Sequence, residues 1–195
     1  MKKLTFGMVG GGQGAFIGEI HRRGVLLNDL AEMKAGCFSR SYDKSLKTAE
    51  AWSIAPERVY RTYQEMAEAE AGREDGIDFV IIVTPNVSHY EIAKCFMEHD
   101  IHVMCDKPLA MTTEQAEELQ TIAKEREIQF GMTYTYTGYP IIRQAREMIR
   151  NGAIGDIVHV RVQHPEDWVC RFRGFVILEI WRQDSCRQIS VNSIA

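Results

Sequence analysis

Apolar stretches of strand length alternate with helix-like patterns over the first two thirds of the chain. Five of these stretches have the length and apolar content of β-strands: Leu4–Val9, Met33–Phe38, Ile77–Val83, Ile101–Cys105 and Ile128–Met132. The third is continuously apolar at its end, as expected for a strand that is buried on both faces. The alternation predicts an α/β fold of the Rossmann type, in which helices cover both faces of a doubly wound parallel sheet.

Helical patterns fill the intervals between these strands. The three clearest are His89–His99, Thr112–Arg126 and Pro140–Asn151. Thr112 and Gln115 have the spacing of a capping box, in which the threonine side chain accepts a backbone N–H and the glutamine side chain reaches back. Asn86 or Ser88 is expected to cap the helix that starts at His89.

The pattern changes near the end of the last predicted helix. Ile157–Val162 alternates apolar and polar residues, which is typical of a half-buried strand in an antiparallel sheet. The change from buried parallel strands to this alternating strand indicates a domain boundary within residues 134–156.

Composition and charge narrow the class of protein. The 195 residues have a formal net charge of −4, without the basic footprint that nucleic acids or anionic membranes require. No apolar run reaches transmembrane length, and Met1–Leu4 leads into a strand instead of a signal-peptide core, so the expected location is the cytoplasm. The five cysteines and six histidines show no disulfide or ligand spacing, and no metal site is predicted.

A glycine-rich turn follows the first strand directly. It consists of Gly10, Gly11, Gly12, Gln13 and Gly14. A strand, a glycine turn and a helix in this order present backbone N–H groups and a positive helix end to a phosphate. Gly10, Gly12 and Ala15 satisfy the G-x-G-x-x-G/A spacing, while Gly18 suggests a second register with a longer loop. We predict that a dinucleotide is bound by Gly10, Gly12, Gln13, Gly14 and Ala15. The alternative is a tight turn in which glycine only permits positive φ.

The end of the second strand should set cofactor specificity, because an acidic residue there usually binds the ribose hydroxyls. This chain has Ser39 and Arg40 at that place, and the next carboxylate, Asp43, fits the start of the following helix. A guanidinium can pair with a 2′-phosphate, and a serine hydroxyl can donate to it. The predicted cofactor is therefore NAD(P), with NADP favoured over NAD. The alternative is that Arg40 is an ordinary surface residue.

Two further candidate segments follow the third and fourth strands, at the edge where an open α/β sheet binds its ligands. Lys107 follows the fourth strand and is the candidate catalytic residue, because an amine there can donate to a substrate oxygen or exchange a proton with it. Asn86 follows the third strand and either contacts the nicotinamide ribose or caps the next helix. We predict cofactor contacts from Thr84, Pro85, Asn86, His89, Asp106 and Lys107.

Three motifs now stand in order along the chain: the glycine turn with Gly18, Thr84–His89, and Cys105–Leu109. Together they resemble the Gfo/Idh/MocA family of sugar and inositol oxidoreductases. The resemblance implies a Rossmann domain over residues 1–135. It also implies an incomplete α+β domain over residues 136–195, with a mostly antiparallel sheet for substrate and oligomer contacts. The implied reaction is hydride transfer between NAD or NADP and a carbinol of a sugar, cyclitol or related polyol, and the implied complete protein is a homo-oligomer.

The resemblance also assigns roles to single residues. Lys107 matches the active-site lysine of the family, and Asp106 is a shortened carboxylate where the family has glutamate. Trp181–Asp184 resembles a stretch that precedes a catalytic Asp-x-Gly-x-His motif, and Ala195 comes about where that motif would begin. The expectation is therefore a C-terminally truncated oxidoreductase without the acid/base histidine. The alternative is a non-catalytic dinucleotide-binding module or an inactive remnant.

Overall fold

One parallel sheet forms the centre of the fold. The computed structural model describes residues 2–163, and the prediction at Trp181–Asp184 lies outside them. The strands are β1 Leu4–Gly10, β2 Ala31–Cys37, β3 Phe79–Val83, β4 His102–Cys105 and β5 Phe130–Met132. All neighbouring pairs are parallel, in the order β2-β1-β3-β4-β5. The predicted Rossmann-type sheet is confirmed, with small shifts at the strand ends.

The direction of the chain across the sheet reverses beside β1. After β1 the chain moves outward to β2 and then returns to the other side of β1 as β3. The connections after β1 and β3 therefore leave in opposite directions and open a crevice at the carboxyl ends of these strands. Gly10 is in register with Val83, so the glycine turn and Thr84 lie at the same edge of the sheet.

Six α-helices are present among the described residues. They are α1 Phe16–Leu26, α2 Tyr42–Trp52, α3 Tyr63–Ala71, α4 His89–Glu98, α5 Thr113–Glu125 and α6 Pro140–Arg150. Three 3₁₀ turns, Pro56–Arg58, Asn86–Ser88 and Thr135–Gly138, complete the connections. The predicted Thr112 cap of α5 is confirmed, because the Gln115 N–H donates to the Thr112 hydroxyl at 3.3 Å. The Gln115 side chain reaches one residue further back than in a capping box and accepts from the Met111 N–H at 3.0 Å.

The apolar core lies on both faces of the sheet. Ile81 and Ile82 are adjacent in β3, are both fully buried, and belong to different core clusters. The Ile82 cluster includes Phe96 of α4, and the Ile81 cluster includes Phe6 of β1. The continuous apolar run in β3 is therefore explained by burial from two sides, as the sequence predicts for a central parallel strand.

The strand predicted at Ile157–Val162 is not formed. These residues have no regular secondary structure, and the side chain of Val158 is 95% exposed. A strand requires a hydrogen-bonded neighbour, and residues 2–163 supply none for this segment. The chain divides into two compact units after Arg143. Within residues 2–163, no helix has the length and apolar character needed to cross a membrane.

Candidate functional site

The glycine turn after β1 has a backbone conformation that requires glycine. Gly10, Gly11 and Gly14 have φ of +82°, +71° and +89°, in the region that other L residues rarely adopt. The N–H of Gly12 donates to the Phe38 carbonyl at 3.3 Å, which ties the turn to the segment after β2. The N–H of Gln13 donates to the Thr48 hydroxyl of α2 at 3.0 Å. Neighbouring elements thus fix the turn before any ligand is bound.

Helix α1 packs directly on this turn through Gly18. A Cβ on Gly18 would lie 2.0 Å from the carbonyl oxygen of Gly11, so only glycine permits this approach. Ala15, which fits the stricter motif spacing, is instead the N-cap residue of α1, and no side chain caps the helix there. The first backbone N–H groups of α1 therefore remain available to an anion. The glycine-motif spacing that ends at Gly18 therefore explains the packing of α1 on the turn better than the spacing that ends at Ala15.

A cleft of about 500 Å³ opens at the carboxyl ends of β1, β2 and β3. Six of the predicted cofactor-binding residues line it: Gly10, Ala15, Ser39, Arg40, Thr84 and Pro85. Other predicted residues are not among its lining: Gly12, Gln13, Gly14, Asn86, His89, Asp106 and Lys107. The cleft therefore brings together the glycine turn, Ser39 and Arg40 after β2, and the end of β3. The segment that carries Lys107 does not line the cleft.

Ser39 and Arg40 occupy the cleft wall at the end of β2. The Ser39 N–H donates to the Ser45 hydroxyl at 3.0 Å, and the Ser39 hydroxyl accepts from the Ser41 N–H at 3.2 Å. The side chain of Arg40 is exposed, and none of the carboxylates of residues 2–163 forms an ion pair with it. A positive charge without a partner in a cleft wall suits an anionic group of a ligand.

The start of α3 is a part of the cleft that was not predicted from the sequence. Arg61, Thr62, Tyr63 and Gln64 line the cleft there. The guanidinium of Arg61 lies 4.1 Å from the ring centre of Tyr42, a cation–π contact. The signal was present in the sequence, because Thr62 and Glu65 have capping-box spacing. The Glu65 N–H donates to the Thr62 hydroxyl at 3.1 Å, and the Glu65 carboxylate accepts from the Arg61 N–H.

The carboxylate of Asp106 organises the segment that carries Lys107. Its Oδ1 accepts from the Lys107 N–H at 2.9 Å and from the Thr133 hydroxyl at 2.7 Å. The Asp106 N–H donates to the Ile82 carbonyl at 2.9 Å, which joins this segment to the end of β3. Lys107 itself is exposed, and its peptide bond to Pro108 is cis. The hydrogen bonds of this segment thus hold the backbone of Lys107, while its side chain is exposed.

His21 of α1 lies on the other side of Asp106. Its Nε2 is 3.9 Å from Asp106 Oδ1, and its side chain is largely buried. Burial lowers the pKa of His21 below its ordinary value, and the charge of Asp106 opposes this effect in part. The helix that follows the glycine turn therefore contributes a titratable group next to the Lys107 segment.

His89 is buried beneath the site. Its Nε2 is 2.8 Å from the Thr84 carbonyl oxygen and its Nδ1 is 2.7 Å from the Pro108 carbonyl oxygen. Both ring nitrogens are thus occupied by the protein. Asn86 is exposed in the 3₁₀ turn before α4, and its predicted cofactor contact stays a prediction.

The capping prediction for α4 is confirmed in position at Ser88, but not in its side-chain hydrogen bond. Ser88 is the N-cap residue of α4 and makes no side-chain cap bond, because its hydroxyl donates to the Pro85 carbonyl at 2.7 Å and lies 2.9 Å from the Thr84 hydroxyl oxygen. Asn86 is the first residue of the preceding 3₁₀ turn and lies too far back to cap α4.

The cysteines near the site are not reactive thiolates. Burial raises the pKa of Cys37 to about 11 and that of Cys105 to about 12. Both thiols therefore stay protonated at neutral pH, and the sheet edge offers no cysteine nucleophile from these two positions. No group of three or more His, Cys, Asp or Glu side chains within residues 2–163 is arranged to hold a metal ion.

Comparison with known proteins places this geometry in a family. The family model GFO_IDH_MocA, described as an oxidoreductase family with an NAD-binding Rossmann fold, matches residues 4–134. The chain belongs to the Gfo/Idh/MocA family. The match covers the entire sheet, the cleft and the Lys107 segment, so the resemblance inferred from the three motifs is confirmed.

The chain is also similar to individual oxidoreductases. An uncharacterised oxidoreductase, YfiI of Bacillus subtilis, is 37% identical over 186 residues, which cover 94% of this chain and 47% of that protein. An oxidoreductase from Pseudomonas syringae has a TM-score of 0.78 and 41% identity, over 80% of this chain and 43% of its own. An inositol dehydrogenase homologue from Azotobacter vinelandii, solved with NADH and myo-inositol, has a TM-score of 0.78 and 38% identity. The match covers 80% of this chain and 41% of that homologue. The chain therefore spans less than half the length of these relatives.

Proposed function

We propose that this chain binds a nicotinamide dinucleotide in the cleft and supplies the catalytic lysine of a sugar or polyol oxidoreductase. The proposed reaction is hydride transfer between the nicotinamide and a carbinol carbon of a sugar, cyclitol or related polyol. One observation carries the proposal. The cleft and the Lys107 segment share one sheet edge, because the Asp106 N–H donates to the Ile82 carbonyl at 2.9 Å. The inositol dehydrogenase homologue with NADH and myo-inositol supports the substrate class.

The residues of the cleft fit a dinucleotide. Positive φ at Gly10 and Gly11 lets the backbone come close to a ligand without a side chain in the way. The first N–H groups of α1 lack a side-chain cap and suit a pyrophosphate. The guanidinium of Arg40, which pairs with no carboxylate of residues 2–163, suits a 2′-phosphate, so we propose NADP as the preferred cofactor. When bound, the cofactor supplies or accepts the hydride.

Lys107 is proposed to act on the substrate oxygen. Its ammonium group can donate a hydrogen bond to a carbonyl or hydroxyl oxygen, which polarises the carbon that exchanges hydride. Asp106 accepts the Lys107 N–H and so orients the backbone from which the lysine side chain extends. Removing a positioned general acid or base typically costs about 10²–10⁴-fold in rate. Such a loss is expected for Lys107→Met.

We further propose that residues 136–195 belong to a second domain, which contributes to the substrate site and to a homo-oligomer of the complete protein in the cytoplasm. The relatives support this extension, because the matched part of the Bacillus subtilis protein is only 47% of its length.

Isothermal titration of the purified chain with NADPH and with NADH tests the proposed cofactor. Tighter binding of NADPH is expected, and no binding of either nucleotide by a folded chain would contradict the proposal. Lys107→Met should still bind NADPH but oxidise it about 10²–10⁴-fold more slowly in the presence of keto-sugars or keto-cyclitols that the wild-type protein reduces. Lys94→Met is the matched control, because Lys94 of α4 pairs with Glu118 of α5 and neither residue lines the cleft.

A further inference from the structure

A buried histidine connects the cofactor side of the site to the lysine side. His89 is 1% exposed. Its Nε2 is 2.8 Å from the carbonyl oxygen of Thr84, which lines the cleft, and its Nδ1 is 2.7 Å from that of Pro108, which directly follows Lys107. The ring thus bridges two loops that leave different strands of the sheet.

Both partners of the ring are carbonyl oxygens, and each lies within hydrogen-bond distance of one ring nitrogen. No other common side chain of similar volume places two nitrogens at opposite sides of a rigid ring. A histidine that served only as core filling would not need two carbonyl partners at hydrogen-bond distance.

The two loops that His89 joins contact the glycine turn at one end and carry Lys107 at the other. Thr84 packs tightly against the glycine turn, because a Cβ on Gly10 would lie 2.9 Å from the Thr84 methyl carbon. At the other end, Lys107 is exposed and is held through its backbone, with Asp106 accepting its N–H on one side. His89 holds the Pro108 carbonyl on the other side.

We propose that His89 is a positioning residue that couples occupancy of the dinucleotide cleft at Thr84 to the placement of Lys107. A ligand that fixes the Thr84 loop fixes the ring, and the ring fixes the backbone after Lys107. This inference rests on the proposed function, since it assigns to His89 a role within the same site. It differs from the cofactor contact that the sequence suggested, because both ring nitrogens already bond to the protein.

The test follows the backbone amide of Lys107 by NMR in the full ¹⁵N-labelled chain while NADPH is added. In the wild-type chain we expect this amide to shift on binding. His89→Gln retains a single donor group, and His89→Phe retains the ring volume without a donor. We expect the Lys107 amide to lose most of its response at saturating NADPH in both variants, and the Kd for NADPH to rise by about fivefold or more.

His99→Gln is the matched control. His99 follows the same helix as its C-cap and has its Nδ1 2.8 Å from the Cys95 carbonyl oxygen, and within residues 2–163 it forms no hydrogen bond to Thr84 or Pro108. It should leave the Lys107 response and the Kd unchanged. A normal Lys107 response in folded His89 variants would overturn the inference but leave the proposed function intact. Absence of NADPH and NADH binding to the wild-type chain would contradict the proposed function itself.

A second measurement needs no variant. The ring signals of His89 in the wild-type chain should move with the Lys107 amide as NADPH is added, with the same saturation curve. Ring signals that stay in place while NADPH binds would overturn the inference, even if neither His89 variant folds.

Discussion

Gly18 of α1 lies against the backbone of Gly11 in the turn after β1, and a Cβ on Gly18 would be 2.0 Å from the Gly11 carbonyl oxygen. This approach brings the start of α1 to the edge of the cleft. A side chain at residue 18 would have to push the helix away from the turn, because the atom it meets belongs to the backbone. The contact thus links helix packing to the shape of the cofactor site.

Gly18→Ala should destabilise the protein and weaken dinucleotide binding together. Overpacking of this kind costs about 1–3 kcal/mol, and the displaced helix takes its N–H groups away from the ligand. Gly24→Ala is the control in the same helix, because a Cβ there meets nothing within 4 Å. It should raise the free energy of unfolding by about 0.5–1 kcal/mol. Urea unfolding and NADPH titration of both variants measure these effects, and equal stabilities would contradict the role of Gly18.

Arg40→Ala should reduce the preference for NADPH. Loss of a hydrogen bond between charged groups costs about 1.5–3 kcal/mol, so the Kd for NADPH should rise by about tenfold or more. The Kd for NADH should stay within about twofold, because NADH has no 2′-phosphate to lose. Titration calorimetry with both nucleotides measures the difference. Arg126→Ala, which breaks a surface pair with Asp100, should change neither affinity. An equal rise in the Kd for both nucleotides would mean that Arg40 does not contact the 2′-phosphate.

His21 should make the protein less stable in mild acid. Burial lowers its pKa in the folded state below the ordinary 6.5. As the pH falls below about 6.5, the unfolded chain therefore takes up a proton at His21 more readily than the folded chain does, and the free energy of unfolding falls.

His21→Asn should lack this part of the pH dependence, which urea unfolding at several pH values detects. Parallel stability curves for wild type and variant would contradict the expectation. Asp106→Asn should lower the pKa of His21 further, because the attraction from the carboxylate is lost. An NMR titration of the His21 ring checks this second effect.

Glu70→Gln should be strongly destabilising. Glu70 of α3 is 2% exposed, accepts from the Arg58 Nε at 3.0 Å, and accepts from the Tyr60 hydroxyl at 2.7 Å. Neutralising Glu70 leaves the buried guanidinium of Arg58 with only the exposed carboxylate of Asp75, 3.4 Å from its Nη1, and loss of the buried partner costs about 3–5 kcal/mol.

Glu32→Gln is the matched control, since Glu32 forms an exposed pair with Lys34 that should contribute less than about 1 kcal/mol. Denaturant unfolding compares the two variants. A loss at Glu70 no larger than at Glu32 would contradict the stabilising role of the buried pair.

Several site features could be read from the sequence because local chemistry encodes them. The glycine turn needs positive φ, which glycine supplies, and the Thr112–Gln115 spacing forms the Thr112 cap within one helical turn. Helix α3 escaped prediction because only Met66, Ala67 and Glu70 of its residues are buried, which leaves a weak apolar periodicity. The cleft residues at its start were missed with it.

The sequence by itself determined the order of the five sheet strands along the chain, the place of the glycine turn and the position of Lys107 after β4. Each of these depends on neighbours in the chain, through apolar periodicity, backbone conformation or turn chemistry. Only the tertiary structure decided that Gly18 meets Gly11, that Arg61 joins the cleft, and that His89 bridges Thr84 and Pro108. These contacts join separate elements, and they arise when the parallel sheet brings the ends of its strands to one edge.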